Sequence, residues 1–301
     1  MASIGTTPDG RRRQKPLRRQ LIRLVLAGVR GWSHAHNWLP SLRLTRDDAG
    51  RFFQALFHGR EVAVLNPATL LSAEMSGTEL FVVGSGPSVS TTPLHPVGPR
   101  SAILLNGACT LIGQRIEDPL AIAVEDERFV WRHFDLLKEK TRPGTIALLS
   151  TGVIRAICEI DAGWLRNVRV VLIDDIRKPY SKVQRSYESL RHLSAAVVNE
   201  AGDAGFSTDP DQGVFQGGSV AISAIQFASS CRPATISLIG IDIANADQPR
   251  FYEQAGQAAP SGIHRSQDRI VKHVALARDV CREQGTLLRS LSPISLLNKV
   301  L

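Results

Sequence analysis

Residues 81–88 read FVVGSGPS, so an apolar run delivers Gly84, Ser85, Gly86, Pro87 and Ser88 into a tight turn. Glycines at such a place permit unusual backbone angles and let N–H groups face an anion or a ribose. The stretch SAILLNGA ends its apolar run in Asn106, whose amide offers a donor and an acceptor to a ribose or a pyrimidine edge. Asn before Gly107 is also a common turn pair, and that alternative stays open. Gln216, Gly217, Gly218 and Ser219 precede VAISAIQFASS, a helix start whose N–H groups and positive dipole end suit a phosphate. ISLIGID places the Asp242 carboxylate at the end of another apolar run. His264 precedes a helical stretch, and imidazole titrates in the range a general base needs.

Two common nucleotide sites are disfavoured. A dinucleotide fingerprint needs a third glycine opening a helix, but Val89 stands there and TTPLHP follows. The acid expected on the second strand is replaced by Asn106, and no lysine follows Ser88 as a Walker loop requires. Carboxylates cluster at two further strand ends, in AVEDERF (123–129) and at Asp174 and Asp175. They either cap the next helix or hold a divalent ion, with Asp126 the candidate ligand for Mg²⁺. The cysteines, Cys109, Cys158, Cys231 and Cys281, are scattered without metal-ligand spacing and read as buried thiols in a reducing compartment.

The elements that must position these residues follow from the apolar pattern. LFVV (80–83), SAILLN (101–106), LAIAV (120–124), TIALLS (145–150), VRVVLI (168–173) and ATISLIG (234–240) are apolar at consecutive positions, as buried parallel strands are. Helices are expected near 126–138, 151–158, 180–195, 217–230 and 266–284, and another from Thr45 through Phe57, stopped by Gly59. The alternation predicts an α/β fold: a Rossmann-like, doubly wound, mostly parallel sheet with ligands at the carboxyl ends of its strands. Residues 201–213 and 244–262 read as long loops, the second part of a lid over about 244–264.

The formal charge of +8 is uneven. Residues 1–46 carry ten Lys/Arg against one acid, whereas 47–301 carry 26 against 27. Without a basic, aromatic-interleaved stripe on the body, a nucleic-acid partner is not expected. In KPLRRQLIRLVLAGVRGW the apolar residues Leu17, Leu21, Leu24, Val25, Val29 and Trp32 follow helical spacing. Its apolar run from Leu24 to Val29 is too short to span a bilayer. It predicts a helical N-terminal extension over 1–44, followed by one domain over 45–301; the helix lies either on an anionic membrane surface through 11–33 or on the domain itself.

Taken in order, GSGPS, LLNGA, the glycine-rich helix start, ISLIGID, His264 before a helix and LLRSLSPISLLNKV resemble the bacterial lipooligosaccharide sialyltransferase family. That family shows G-N-G-P-S, a strand ending in C-N, a T-S-G helix start, G-I-D-F-Y, a histidine before a helix and a closing C-P-N-S-L-L. The resemblance runs from about Leu80 to Leu301. It implies a modified GT-A, Rossmann-like domain that moves a sialic-acid-like or octulosonic-acid-like sugar from a CMP-sugar donor to a glycan or glycolipid acceptor, inverting the anomeric centre. Nucleotide contacts fall by implication on Gly84, Ser85, Gly86, Pro87, Ser88, Asn106, Gln216, Gly217, Gly218, Ser219 and Ile243. His264 becomes the acceptor's base, Asp242 organises the nucleotide side, and Tyr252 matches the family's second tyrosine. No cofactor is required, while Mg²⁺ stays open. A glycolipid acceptor implies a cytoplasmic protein, peripheral on the inner face of the cytoplasmic membrane; a homo-oligomer stays open.

This chain departs from the family at Ser85, where the loop has Asn, and at Ala244, where a tyrosine helps stabilise the departing phosphate. Arg250 offers charge instead, and Gln216 and Gly217 replace the Thr-Ser pair. The departures leave open a non-catalytic nucleotide-sugar-binding homologue. A weaker resemblance, through GSGPS and the G-x-D pattern, is to archaeal-type pterin pyrophosphokinases, which would need Mg²⁺ for phosphoryl transfer.

Overall fold

The computed structural model describes residues 41–243, 250–252 and 266–301, with residues 21, 24, 25, 27–29 and 31 of the N-terminal arm. Its strands are β1 (Leu42–Arg46), β2 (Phe52–Phe57), β3 (Arg60–Asn66), β4 (Glu79–Val83), β5 (Ala102–Leu105) and β6 (Ala121–Val124). They continue as β7 (Ile146–Ser150), β8 (Arg169–Ile173), β9 (Ala196–Val198), β10 (Gly205–Ser207), β11 (Thr235–Ile239) and β12 (Leu287–Ser290). The chain forms two compact units, one of Met1–Pro67, Val124–Ser186 and Asp211–Gly213, the other of Ala68–Ala123, Tyr187–Pro210 and Val214–Leu301.

In the first unit the strands run β1-β2-β3-β8-β7, antiparallel through β3 and parallel beyond it. The expected helix over Thr45–Phe57 is instead this antiparallel hairpin pair. FFQALF is only partly buried apart from Ala55, and His58 and Gly59, both at positive φ, make the two-residue turn that right-twisted strands favour. Asp47 receives the Arg51 N–H at 2.8 Å within a turn and starts no helix. β1 crosses residue 44, where composition alone placed the end of the extension. The helix Glu127–Lys140 is capped by Asp126, and Thr151–Asp161 by Ser150. Arg155, buried, pairs with Glu127 at 3.4 Å and Glu159 at 3.9 Å.

The second unit holds five parallel strands in the order β6-β5-β4-β11-β12. Leu80, Phe81, Val82 and Val83 are at most 2% exposed. Full burial of such side chains contributes about 1.5–3 kcal/mol each, which is why four consecutive apolar residues make a central strand. β4 comes first in this unit, yet β5 flanks it on one side and β11 on the other. The winding therefore reverses at β4, and such a switch point opens a crevice at the strand ends. The helix Val220–Ser230 lies almost wholly buried, and its Gln226 accepts the Ser207 and Phe215 N–H groups while donating to Phe215 O and Ile222 O.

All six apolar runs fall on parallel strands, β4 to β8 and β11, whereas the parallel edge strand β12 follows no such run. The helix expected over 180–195 shrinks to Tyr187–Leu190, because Pro179, and Ser181 at a φ of 59°, hold the preceding segment in turns. The loop expected at 201–213 contains β10, which pairs with β9 in a small hairpin. All four cysteines are buried and free, with the thiols of Cys158 and Cys231 pushed up to about 12 by burial.

Asp174 ends β8 and turns its carboxylate inward to receive the Tyr180 N–H at 3.0 Å; the Tyr180 hydroxyl in turn donates to Leu42 O on β1. Burial raises the Asp174 carboxyl from 3.8 to about 7. The folded protein thus keeps a proton that the unfolded chain has released, and stability present below pH 3.8 is lost as pH rises toward about 7. Asp174→Asn should therefore gain melting temperature relative to the parent from about pH 5 to about pH 8, measured by thermal denaturation. A constant difference across that window would remove Asp174 as the source.

Candidate functional site

The crevice of the second unit is built on a crossing of two strand-end turns. Gly84 N donates to Ile239 O at 2.7 Å, and Gly86 N donates to Gly240 O at 2.8 Å. A Cβ on Gly84 would collide with the Gly240 carbonyl, one on Gly86 with the Asp242 carboxylate, and one on Gly240 with Val89. The glycines are therefore required by the approach of one turn to the other. This corrects the expectation that they expose N–H groups to an anion: the donors of Gly84, Gly86 and Ser88 are occupied within the protein.

Asp242 is the keystone of that crossing. Its buried carboxylate receives the Ser88 N–H at 2.8 Å and the Ser88 hydroxyl at 2.7 Å. Pro87 opens the short 3-10 turn that brings Ser88 there. Ser292 lies 3.1 Å from the Ser88 hydroxyl and accepts the Gly240 N–H at 2.8 Å, while Ser295 donates to Ile241 O. Asp242 is thus a positioning residue for the loop, and Ile243 beside it is buried. Ser292 and Ser295 belong to the closing motif, SPISLL, which gave no separate signal of their role.

Beside this frame lie Asn106, Arg250 and Tyr252. Asn106 ends β5 with φ of 48°, a left-handed conformation that an Asn adopts at some cost. Its Oδ1 is buried and, among the described residues, has no hydrogen-bond partner. Buried acceptors are nearly always satisfied, which makes this oxygen a candidate for receiving a ligand's donor. Tyr252 lies so close to Gly107 that any Cβ there would enter its ring. Two residues earlier, Arg250 donates to the Ser85 hydroxyl at 2.9 Å, and Phe251 N reaches Ser85 O at 3.4 Å. The segment 250–252 thereby touches both the β4 and β5 turns.

The third expected element is also in place. Gly217 and Gly218 have φ of 53° and 97°, and Ser219 caps the helix Val220–Ser230 by accepting the Ala221 N–H at 3.3 Å. Gln216 O receives the Ser219 N–H. Arg269, a residue that no sequence motif marked, reaches Gly217 O at 3.1 Å and puts a cation at this helix start. His273 is buried with Nδ1 2.8 Å from Gly205 O, a structural setting. Arg115 ties the two front loops together, donating to Val89 O and Thr92 O at 2.8 Å each.

His264 and Ala244 lie outside the described residues, as does most of the expected lid. Asp126, the candidate Mg²⁺ ligand, caps its helix and pairs with Arg128 at 2.6 Å, and Glu127 is held by Arg155. Asp175 likewise receives the Arg177 N–H at 2.9 Å. Among the described residues no group of three or more His, Cys, Asp or Glu is arranged to hold a metal ion.

Comparison with known proteins supplies a family. Residues 66–287 match the family model described as 3-deoxy-D-manno-octulosonic acid transferase WaaZ. The chain is 21% identical over 217 residues to a Salmonella typhimurium protein described as "Probable 3-deoxy-manno-octulosonic acid transferase", covering 69% of this chain and 80% of that one. Among solved structures it is similar to a monofunctional alpha-2,3-sialyltransferase from Campylobacter jejuni, with a TM-score of 0.40 and 12% identity over 75% of this chain and 79% of the other.

Replacing Asp242 by Ala leaves the buried Ser88 N–H without an acceptor and its hydroxyl with only Ser292, a loss of about 1–3 kcal/mol for the orphaned N–H. Urea denaturation should show that decrease in Asp242→Ala and a smaller one in Asp242→Asn, which keeps one acceptor oxygen. Equal stability of Asp242→Ala and the parent would remove Asp242 as the support of the loop.

Proposed function

Because the chain belongs to the 3-deoxy-D-manno-octulosonic acid transferase WaaZ family, we propose that it transfers an eight-carbon acid sugar of the octulosonic type, or a sialic-acid-like one, from its CMP-activated form to a glycan or glycolipid acceptor of the lipopolysaccharide or lipooligosaccharide class. The orphan acceptor of Asn106 carries this reading. An unpaired carbonyl oxygen, held by a strained backbone at a switch-point crevice, fits the exocyclic amine of cytosine or a ribose hydroxyl. Gln216, Gly217, Gly218 and Ser219 form the second wall of the nucleotide site, with Arg269 adding charge to it.

The acceptor hydroxyl oxygen forms a bond to the anomeric carbon as the bond from that carbon to the CMP phosphate oxygen breaks. The electron pair leaves with CMP, and the acceptor's proton passes to His264. Attack from the opposite face inverts the centre, and no protein nucleophile is needed. The scaffold is a modified GT-A fold on this reading, and no metal is assigned a role. Catalysis then rests on positioning and on stabilising the leaving anion.

Thermal-shift measurements with CMP, CDP, NAD, and ATP with Mg²⁺ test the donor. At about 100 times its Kd, CMP should add about 2.7 kcal/mol of stability. Stabilisation by ATP with Mg²⁺ and none by CMP would replace transfer by pyrophosphoryl chemistry. His264→Ala should lower turnover of a CMP-octulosonic acid donor about 10²–10⁴-fold with CMP affinity little changed. Unchanged turnover would move the base elsewhere.

The arm serves attachment on this reading. Leu21, Leu24, Val25 and Val29 are helical and 59–78% exposed, at i, i+3, i+4 and i+8, while Ala27 is buried. That apolar arc, within a sequence that carries the chain's basic excess, suits a helix lying in the anionic inner face of the cytoplasmic membrane. Among the described residues no helix is long and apolar enough to cross a membrane. In vesicle flotation the full chain should rise with anionic vesicles and far less with zwitterionic ones, and a chain starting at residue 34 should stay behind. Equal recovery of both chains would exclude this role.

A further inference from the structure

The departing phosphate of a CMP donor needs a positive partner, and the backbone of the front loop supplies little of one. The N–H groups of Gly84 and Gly86 are bound to Ile239 O and Gly240 O, and that of Ser88 is bound to Asp242. The tyrosine that the sialyltransferase pattern places two residues after its aspartate is Ala244 in this chain. The segment that does reach the loop brings a cation. Arg250 is half-buried, and its Nη1 lies 2.9 Å from Ser85 Oγ. Phe251 N reaches Ser85 O, and the Tyr252 ring covers Gly107 next to the orphan Asn106 Oδ1. One short segment therefore presents a guanidinium and a phenol to the two turns where the nucleotide would sit.

We propose that Arg250, seated on Ser85, is the catalytic residue that receives the leaving phosphate of the donor, in place of the tyrosine this chain lacks. This rests on the CMP-sugar reading of the same crevice. The exchange at Ser85 belongs to the same arrangement: serine is shorter than the asparagine of the related loop, and its hydroxyl accepts the guanidinium where an amide would fill the space. A guanidinium is a permanent cation whose planar fork of N–H donors matches two phosphate oxygens. As the glycosidic bond breaks, its electron pair moves onto the phosphate oxygen. Charge-assisted hydrogen bonds to that oxygen strengthen with the added negative charge, so the contact lowers the barrier more than it lowers the ground state.

Calorimetric titration of cytidine and of CMP into the parent, Arg250→Ala and Arg250→Lys separates this role from a structural one. The parent should bind CMP more tightly than cytidine. Arg250→Ala should narrow that preference about tenfold to a hundredfold, through CMP alone, with cytidine affinity unchanged. Arg250→Lys should recover part of the preference, because it keeps the charge without the planar fork. An undiminished preference in Arg250→Ala would overturn the proposal. So would an equal weakening of cytidine and CMP, which would mean that Arg250 only holds the loop in place. If the parent bound neither compound, the CMP reading itself would fall, and with it the role of Arg250.

Discussion

The second unit depends on two backbones passing closer than side chains allow. Where β4 and β11 end, Gly84 and Gly86 meet Gly240 and the Asp242 carboxylate with no room for a Cβ on any of the three glycines. The contact is sealed by hydrogen bonds from Gly84, Gly86 and Ser88 across to the other turn. Everything at the crevice inherits its position from that seal. The 3-10 turn after Pro87 exists because Asp242 holds Ser88, and Ser292 fills the corner left between them. A buried carboxylate that receives two donors is well satisfied, whereas the same group without them would be costly.

A division of labour follows. Backbone donors near the crossing maintain the shape of the protein, so on the proposed reading the ligand chemistry passes to side chains set around it: an amide just after β5, a guanidinium and a phenol on the segment 250–252, and a second guanidinium at the helix start. This arrangement leaves the sugar-facing half free to change. Ser85 and Ala244 differ from the sialyltransferase pattern while the crossing itself is intact, as expected if shape and chemistry rest on separate atoms.

The parallel strands were legible because burial on both faces demands consecutive apolar residues, and LFVV or IALLS can satisfy that demand in few other ways. The hairpins at β1–β3 were not, because Thr45, Asp47 and Asp48 imitate a helix cap and FFQALF has too many apolar residues to show an alternation. Motif order placed Asp242, Asn106 and Tyr252 in one crevice, but it could not say that the Asp242 carboxylate faces inward. That depends on a contact with Ser88, 154 residues away. Arg269 and Arg115 carry no pattern at all, since each acts by reaching carbonyls that only the folded chain brings near.

The corner where Ser88 meets Ser292 joins positions 204 residues apart in the chain. Such a closure cannot form early: the strands on either side must already be ordered before the entropy of so long a loop is recovered. A partly folded chain can therefore possess its sheet and most of its helices and still lack a place for a donor. On the proposed reading a place for the donor is then among the last features to be completed, and nucleotide binding would distinguish finished molecules from those that have merely collapsed.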